Sequence, residues 1–154
     1  MSDKMVPLDY ANNLMYEMEK AFWDERGKGA RFRTTNIGKQ YYTDKIQPKL
    51  ESSEVEHILQ TIDEILQSEG IAAKVSYDAE ERLLRVQVQG CIHRQVEARM
   101  LEKDIEPFTC VPANLIAFAI EEKLDVPVEL AEIKVSEGVC ELLLVTFEKR
   151  FELK

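Results

Sequence analysis

The chain has 154 residues, of which 45% are hydrophobic and 32% are charged, and its net charge is −9 at pH 7. This size and composition are typical of one globular domain, which we expect to span residues 1–154. The acidic balance disfavours nucleic acid as a partner, because phosphate backbones are bound by clustered positive charge. The densest basic cluster, Arg26–Arg33, is interpreted as a solvated loop.

The sequence also gives an expectation about location. No segment approaches the roughly 20 consecutive apolar residues that a membrane-spanning helix needs. The N-terminal stretch MSDKMVPLDYANN has no long apolar core of the kind that secretion signals carry. We therefore expect a cytoplasmic protein without a membrane span.

The first predicted element is an amphipathic helix. One apolar face is marked by spacings of three and four residues, at Leu8, Ala11, Met15, Met18 and Phe22. Further apolar residues of this helix lie off that face, namely Leu14, Tyr16 and Trp23. A helix that is apolar on two sides needs two partners, so the pattern predicts a homodimer that buries Tyr16 or Trp23.

Two more helices follow before the periodicity changes. A weaker one extends from about Ile37 to Ile46 and ends before Pro48. The third has a continuous apolar stripe at Val55, Ile58, Leu59, Ile62, Ile65 and Leu66. Gly70 suits the position just beyond its end.

After Gly70 the apolar residues alternate, which is typical of strands. The segments 71–77 and 84–88 predict one hairpin, and 126–135 with 139–150 predict a second hairpin around a turn at 136–138. Between them we predict a helix over 95–103 and another that begins at Pro112. The last strand is apolar on both faces, so we expect both faces to be covered.

This order predicts an α+β domain. Residues 1–70 form a helical part, and residues 71–154 form the sheet with its inserted helices. The expected sheet has four strands, is mostly antiparallel, is built from the two hairpins, and packs against the N-terminal and inserted helices.

Several residues of the C-terminal half follow a pattern that has a known counterpart. Cys110 precedes PANLIAFAIEEKL, and the next strand, VPVELAEIKV, contains Pro127, Val128, Glu129 and Glu132. Gly138, Cys140 and Glu141 stand in the last turn and strand. In these features residues 71–150 resemble the 4-vinyl reductase domain family. The sequence departs from that family at Val135, where a cysteine is frequent, and at Ala117 and Ala119, where glycines are frequent.

The resemblance implies a fold shared with subunits of the TRAPP vesicle-tethering complex and similar to that of haem-based nitric-oxide sensors. It also implies a small-molecule-binding domain with an apolar pocket and usually no catalysis of its own. We expect such a pocket between sheet and helices, because ligand sites are mostly apolar with few polar anchors. Its predicted lining is Cys110, Leu115, Phe118, Val86 and Leu142.

Cys91, His93 and Cys110 form a candidate zinc site. Two thiolates and an imidazole are suitable zinc ligands, and the helical excursion between His93 and Cys110 could bring them together. The C-x-H spacing is not a known zinc signature. The alternative is that Cys110 and Cys140 are core residues, Cys91 packs at a strand end and His93 is a surface residue. A cysteine nucleophile with His93 as base is a further alternative, but no local catalytic motif accompanies it.

The sequence thus leaves two classes of function. The first is a non-catalytic module that binds a small apolar ligand or a metal and acts as a sensor, carrier or accessory protein. The second is a structural adaptor that dimerises through its N-terminal helix and binds no small molecule. A Cys/His enzyme is the third and weakest reading.

Overall fold

The computed structural model describes residues 5–32 and 34–148, with the backbone alone for Phe32. Arg33 of the predicted basic cluster and the two ends of the predicted domain lie outside these residues. The main elements are α1 (Leu8–Arg26), α2 (Lys39–Tyr41), α3 (Val55–Ser68), β1 (Lys74–Glu80), β2 (Leu83–Gln89), α4 (Arg94–Glu102), α5 (Val111–Leu124), β3 (Val128–Ser136) and β4 (Val139–Thr146). Within this described part, no helix is long and apolar enough to cross a membrane.

The predicted α+β class is confirmed, with one four-stranded antiparallel sheet. The strand order is β1-β2-β4-β3, so the two hairpins lie side by side and β1 and β3 form the edges. The second hairpin turns through Glu137 and Gly138, which have φ angles of 42° and 83°. Such left-handed pairs make the tight turn that matches the twist of two antiparallel strands.

The weaker second helix is present but irregular. After α2 the chain continues as a π-helical turn, Tyr42–Ile46, and a 3-10 turn, Gln47–Lys49. Pro48 explains the tightening, because its ring lacks an N–H and cannot continue a regular helix.

The main core lies between one face of the sheet and helices α3 and α5. Val86, Val88, Leu142 and Leu144 are all at most 2% exposed, and they pack with the apolar stripe of α3 and with most of α5. Burying side chains of this kind contributes about 1.5–3 kcal/mol each. This face of the sheet therefore fixes the position of both helices.

The opposite face of the sheet is not covered within the described residues. Leu143 and Val145 of β4 are only half-buried, and Arg85 and Glu141 beside them are exposed. The described residues of one chain do not supply the cover predicted for this face of β4, and that cover stays a prediction. The neighbouring strand β2 carries polar residues on this outer side, where Arg85 and Gln87 are exposed.

Helix α1 packs outside the main core. A second, smaller cluster joins Met100 of α4 to Ile105, Phe108 and Ala30. Trp23 of α1 stacks on Phe108 with ring centroids 5.6 Å apart. Tyr16 and Phe22 pack against the same cluster and are half-buried, so these aromatic residues are used inside the chain.

The inward face of α1 differs from the predicted one. Met18, predicted to face inward, is 72% exposed, whereas Asn12 is only 4% exposed. Asn12 is buried because its amide Nδ2 donates a hydrogen bond of 2.9 Å to the carbonyl of Ile92, just before α4. The inward face is therefore partly polar, which apolar periodicity could not reveal.

Candidate functional site: a closed thiol cluster and an open groove

A buried carboxyl group lies beside a buried thiol where β4 meets α4. The Cys140 Sγ donates a hydrogen bond of 3.0 Å to Glu97 Oε2, and the two residues are 2% and 6% exposed. Burial raises the pKa of Glu97, and the hydrogen bond from Cys140 acts in the opposite direction. Burial also raises the pKa of Cys140, and the negative charge of Glu97 adds to this.

The other two cysteines lie around the same carboxyl group. Cys91 follows β2 and Cys110 directly precedes α5, and both are buried. Burial raises the pKa of Cys91 to about 11 and that of Cys110 well above its usual value, and Glu97 contributes to both shifts. All three thiols are therefore protonated at neutral pH. We call Cys91, Cys110, Cys140 and Glu97 the thiol cluster.

The predicted zinc ligand His93 directly precedes α4, at its N-cap position. Its backbone N–H donates to Cys91 Sγ at 3.4 Å, and burial lowers the pKa of its imidazole. Its Nδ1 is buried and has no hydrogen-bond partner among the described residues. Anywhere in residues 5–32 and 34–148, no three Cys, His, Asp or Glu side chains are arranged to hold a metal ion. Zinc binding by Cys91, His93 and Cys110 stays a prediction.

A second carboxyl group approaches the cluster from α1. Burial, together with the charge of Glu97, raises the pKa of Glu19 to about 7. Sequence reasoning missed both glutamates, although their spacing contains the signal. Glu97 stands next to Val96 and three residues before Met100, so it shares the buried face of α4.

The residues of the predicted apolar pocket all belong to the packed core. Cys110, Leu115, Phe118, Val86 and Leu142 are 5%, 1%, 8%, 1% and 2% exposed. None of them lines the large groove described next, nor the two smaller surface cavities beside α1 and α4. At these five side chains, the space between sheet and helices has no opening to the surface through which a ligand could enter.

A large open groove lies instead along the edge strand β3, with a volume of about 1110 Å³. One wall consists of all nine residues of β3, from Val128 to Ser136. The opposite wall contains the aromatic rings of Trp23 and Phe108 and the polar residues Thr34, Thr109 and Asn114. Lys28 and Arg31 also line it. We call this feature the β3 groove.

Helix α5 reaches β3 but covers its apolar side chains only in part. Leu130, Ile133 and Val135 lie opposite Leu144, Leu142 and Cys140 of β4, so their side chains share the helix-covered face of the sheet. These β4 residues are at most 2% exposed, whereas the three β3 residues are only half-buried. The apolar face of the sheet therefore extends into the groove.

Two of the polar side chains in the groove already form hydrogen bonds within the chain. Arg31 Nη2 donates to the carbonyl of Leu130 at 3.0 Å, and Asn114 Nδ2 donates to the carbonyls of Thr34 and Ile37 at 3.0 Å each. Thr109 differs, because its Oγ1 is buried and has no hydrogen-bond partner in the described residues. A buried polar atom normally has a partner, so this hydroxyl marks a place where a ligand could supply one.

Comparison with known proteins places the chain in a family. The profile of the family described as "Putative rubredoxin C-terminal domain" matches residues 11–148. The chain therefore belongs to this family. The match extends from α1 to just beyond β4, so it includes both the thiol cluster and the β3 groove. No curated protein matches the chain.

Proposed function

We propose that this member of the family is a non-catalytic binding module, which acts as a sensor, carrier or accessory domain and holds its ligand in the β3 groove. The observation that carries the proposal is the groove itself. At about 1110 Å³ it can accept a drug-sized molecule or a short peptide. Its lining combines aromatic and aliphatic side chains with polar and charged groups that can anchor a ligand.

The thiol cluster supports a non-catalytic role. A cysteine nucleophile acts as the thiolate, and burial raises the pKa of Cys91 to about 11. The hydrogen bond from the His93 N–H lowers the pKa of Cys91, but burial outweighs it, and the nearby Glu97 carboxyl group raises the pKa of all three thiols. The groups with intrinsic reactivity are therefore closed and protonated, and the accessible groups are suited to binding.

The family relationships support an accessory role as well. The family's description names a C-terminal domain of rubredoxins, which is a position beside another domain. We also propose the kinship with the 4-vinyl reductase domain family that residues 71–150 suggest, since that resemblance implies ligand binding too. A four-thiolate metal centre needs four cysteines, and this sequence contains three. We therefore assign no metal chemistry to the proposal.

Native mass spectrometry of the purified protein, with elemental analysis, tests the proposal. We expect a retained small molecule or peptide, and Leu101→Arg should abolish its retention because the exposed Leu101 lies at the rim of the groove. Leu14→Arg is the matched control, since Leu14 is similarly exposed on α1. Retention that survives Leu101→Arg would contradict the assignment to the groove. About one zinc per chain, lost in Cys91→Ala, would instead support the predicted zinc site.

A second candidate function is dimerisation without a small ligand. Tyr10, Leu14 and Met18 are 60%, 44% and 72% exposed and are spaced four residues apart, so they form one apolar stripe on α1. Exposed apolar stripes of this kind frequently mark protein interfaces. Light scattering tests it: a dimer mass that falls to that of the 17.8 kDa monomer in Leu14→Arg supports the stripe as the interface. A native chain that is monomeric at micromolar concentration excludes it.

A further inference from the structure

We propose that the ligand of the β3 groove is an extended segment of a partner polypeptide, which adds to the sheet as a fifth strand beside β3 and carries alternating apolar and basic side chains. This inference rests on the proposed function and names the class of its ligand. Strand addition to an open sheet edge is a common mode of peptide recognition. Three features of the described residues support it.

The first feature is the set of main-chain groups along β3. The second hairpin has a two-residue turn, so its closing pair, Ser136 and Val139, is a hydrogen-bonded pair. Because hydrogen-bonded and non-bonded pairs alternate in an antiparallel ladder, the N–H and C=O groups of Ile133 and Val135 point away from β4. In the described part of the chain, no other backbone group bonds to them. Ile133 and Val135 thus offer four groups at the spacing that an added strand requires.

Contacts at the other end of β3 support this register. Beyond the bulge at Ala131, the same alternation directs the Leu130 carbonyl and the Val128 N–H outward. The Leu130 carbonyl accepts from Arg31 at 3.0 Å, and the Val128 N–H donates to Glu121 Oε1 at 3.0 Å. The outward groups of Val128 and Leu130, on the first half of the edge, are therefore bonded within the chain. Those of Ile133 and Val135, on the second half, are open to an added strand.

The second feature is the apolar wall on the helix side of the edge. An added strand would direct every second side chain toward Trp23 and Phe108, beside the half-buried Ile133 and Val135. Side chains facing this wall should therefore be apolar.

The third feature is the charge on the outer side of the edge. Glu129, Glu132 and Lys134 lie opposite Val145, Leu143 and Glu141 of β4, so they share the outer face of the sheet. Lys134 is already paired with Glu132 at 3.2 Å. The remaining charge on this row is negative, and so is that of the whole chain, at −9. Outward side chains of the partner should therefore be basic.

The same charges disfavour a second copy of the chain as the occupant. If two β3 edges paired so that all four open groups were used, Ile133 of one would lie opposite Val135 of the other and Lys134 opposite its own copy, and like charges directly opposite each other are destabilising. The other edge of the sheet differs again, because the Val75 N–H of β1 already donates to Asp63 Oδ1 at 2.6 Å. The open half of β3 is thus the better edge for a basic partner.

The test uses a blocked eight-residue peptide of alternating lysine and valine as the probe. Trp23 is the single tryptophan and lines the groove, so its emission reports binding. We expect saturable binding, slower amide hydrogen exchange at Ile133 and Val135, and at least tenfold weaker binding of a peptide with glutamate in place of lysine. A peptide with N-methylated backbone amides should not bind, because it cannot complete the ladder.

Two substitutions make the test specific. Val135→Pro removes one outward N–H, and proline is tolerated on an edge strand, so binding should fall at least tenfold. Ala79→Pro at the β1 edge is its control and should bind as the native chain does. Glu132→Lys is an exposed change that keeps the fold. It should reverse the preference between the lysine and glutamate peptides.

Each other outcome overturns the inference in a distinct way. Binding that is unaffected by Val135→Pro and by N-methylation excludes strand addition. Dimerisation through β3 assigns the edge to a second copy, and tighter peptide binding after removal of residues 149–154 assigns it to the chain's own end. If no peptide binds but a small molecule is retained and lost in Leu101→Arg, the inference fails and the proposed function stands. If neither binds, both fail.

Discussion

The thiol cluster includes Glu97 of α4, whereas the β3 groove is lined by Leu101 and by the segment that follows α4, and the two regions differ in reactivity and in access. The cluster contains three thiols and the carboxyl group of Glu97, with that of Glu19 nearby, yet its cysteines are at most 8% exposed. The groove contains no cysteine or histidine, but it is open along the whole of β3. Side chains with catalytic potential are therefore shielded, and backbone groups, hydroxyls and aromatic rings are available.

This contrast shows why residue type alone was a poor guide to the site. Cysteine and histidine draw attention because they ligate metals and act as nucleophiles, but free cysteine is also among the most frequently buried residues. A strand edge has no residue signature, because its binding groups are backbone atoms. Four experiments, three by substitution and one by thiol labelling, test this contrast between the two regions.

The largest expected effect tests whether the predicted pocket is solid core. Leu142→Ala removes a side chain that is 2% exposed, so the free energy of unfolding should fall by about 2–5 kcal/mol. Leu143→Ala, on the half-buried outer face of the same strand, should cost about 1 kcal/mol or less. Urea denaturation measures both. Equal, small costs would indicate that Leu142 lines a cavity, as the sequence predicted.

The second prediction concerns the closure of the thiol cluster. At pH 8 a thiol reagent should react with the native chain roughly 100-fold more slowly than with the unfolded chain, because the reagent needs an accessible thiolate. Burial raises the pKa values of all three cysteines, that of Cys91 to about 11. Mass spectrometry of the labelled chain resolves the sites. A cysteine that reacts at the unfolded rate would be an accessible group, and the contrast between the two regions would not hold.

The third prediction follows from the pKa of Glu19, which burial raises from 4.5 to about 7. The folded chain holds this proton more tightly than the unfolded chain, so the associated stability is complete below pH 4.5 and is lost as the pH rises through 7. Glu19→Gln should therefore raise the free energy of unfolding at pH 8 by about 1–3 kcal/mol and change it little at pH 4.5. Thermal unfolding at the two pH values measures this.

The neighbouring Glu17→Gln is the control for that experiment, since Glu17 is exposed on the same helix. It should leave the unfolding temperature nearly unchanged at both pH values. A gain from Glu19→Gln that is equal at pH 4.5 and pH 8 would contradict the buried, protonated carboxyl group.

The smallest expected effect on stability belongs to Thr109→Val in the groove. The substitution replaces a buried hydroxyl that has no partner in the described residues, so the free energy of unfolding should stay within about 1 kcal/mol of the native value or rise. Ligand retention should nevertheless decrease, because the ligand loses a polar anchor. Native mass spectrometry and thermal unfolding together separate the two effects. Unchanged retention would remove Thr109 from the site.

Local patterns were sufficient for most of the fold. The stripe from Val55 to Leu66 and the alternation after Gly70 predicted α3 and the first hairpin, because side-chain periodicity reports which face is buried. The inward face of α1 was mispredicted, since Asn12 is buried by a hydrogen bond to a residue 80 positions away. The β3 groove could not be predicted at all, because it depends on how far α5 and α1 extend across the sheet.

Chemical-shift mapping by NMR with the lysine–valine peptide tests the central claim most directly, because it reports both regions in one spectrum. The account predicts shifts at the amides of Ile133 and Val135 and at the Trp23 indole, with little change at Cys140 and Glu97. Shifts at Leu115, Phe118 and Leu142, with none along β3, would contradict it and would place the ligand in the interior pocket that the sequence predicted.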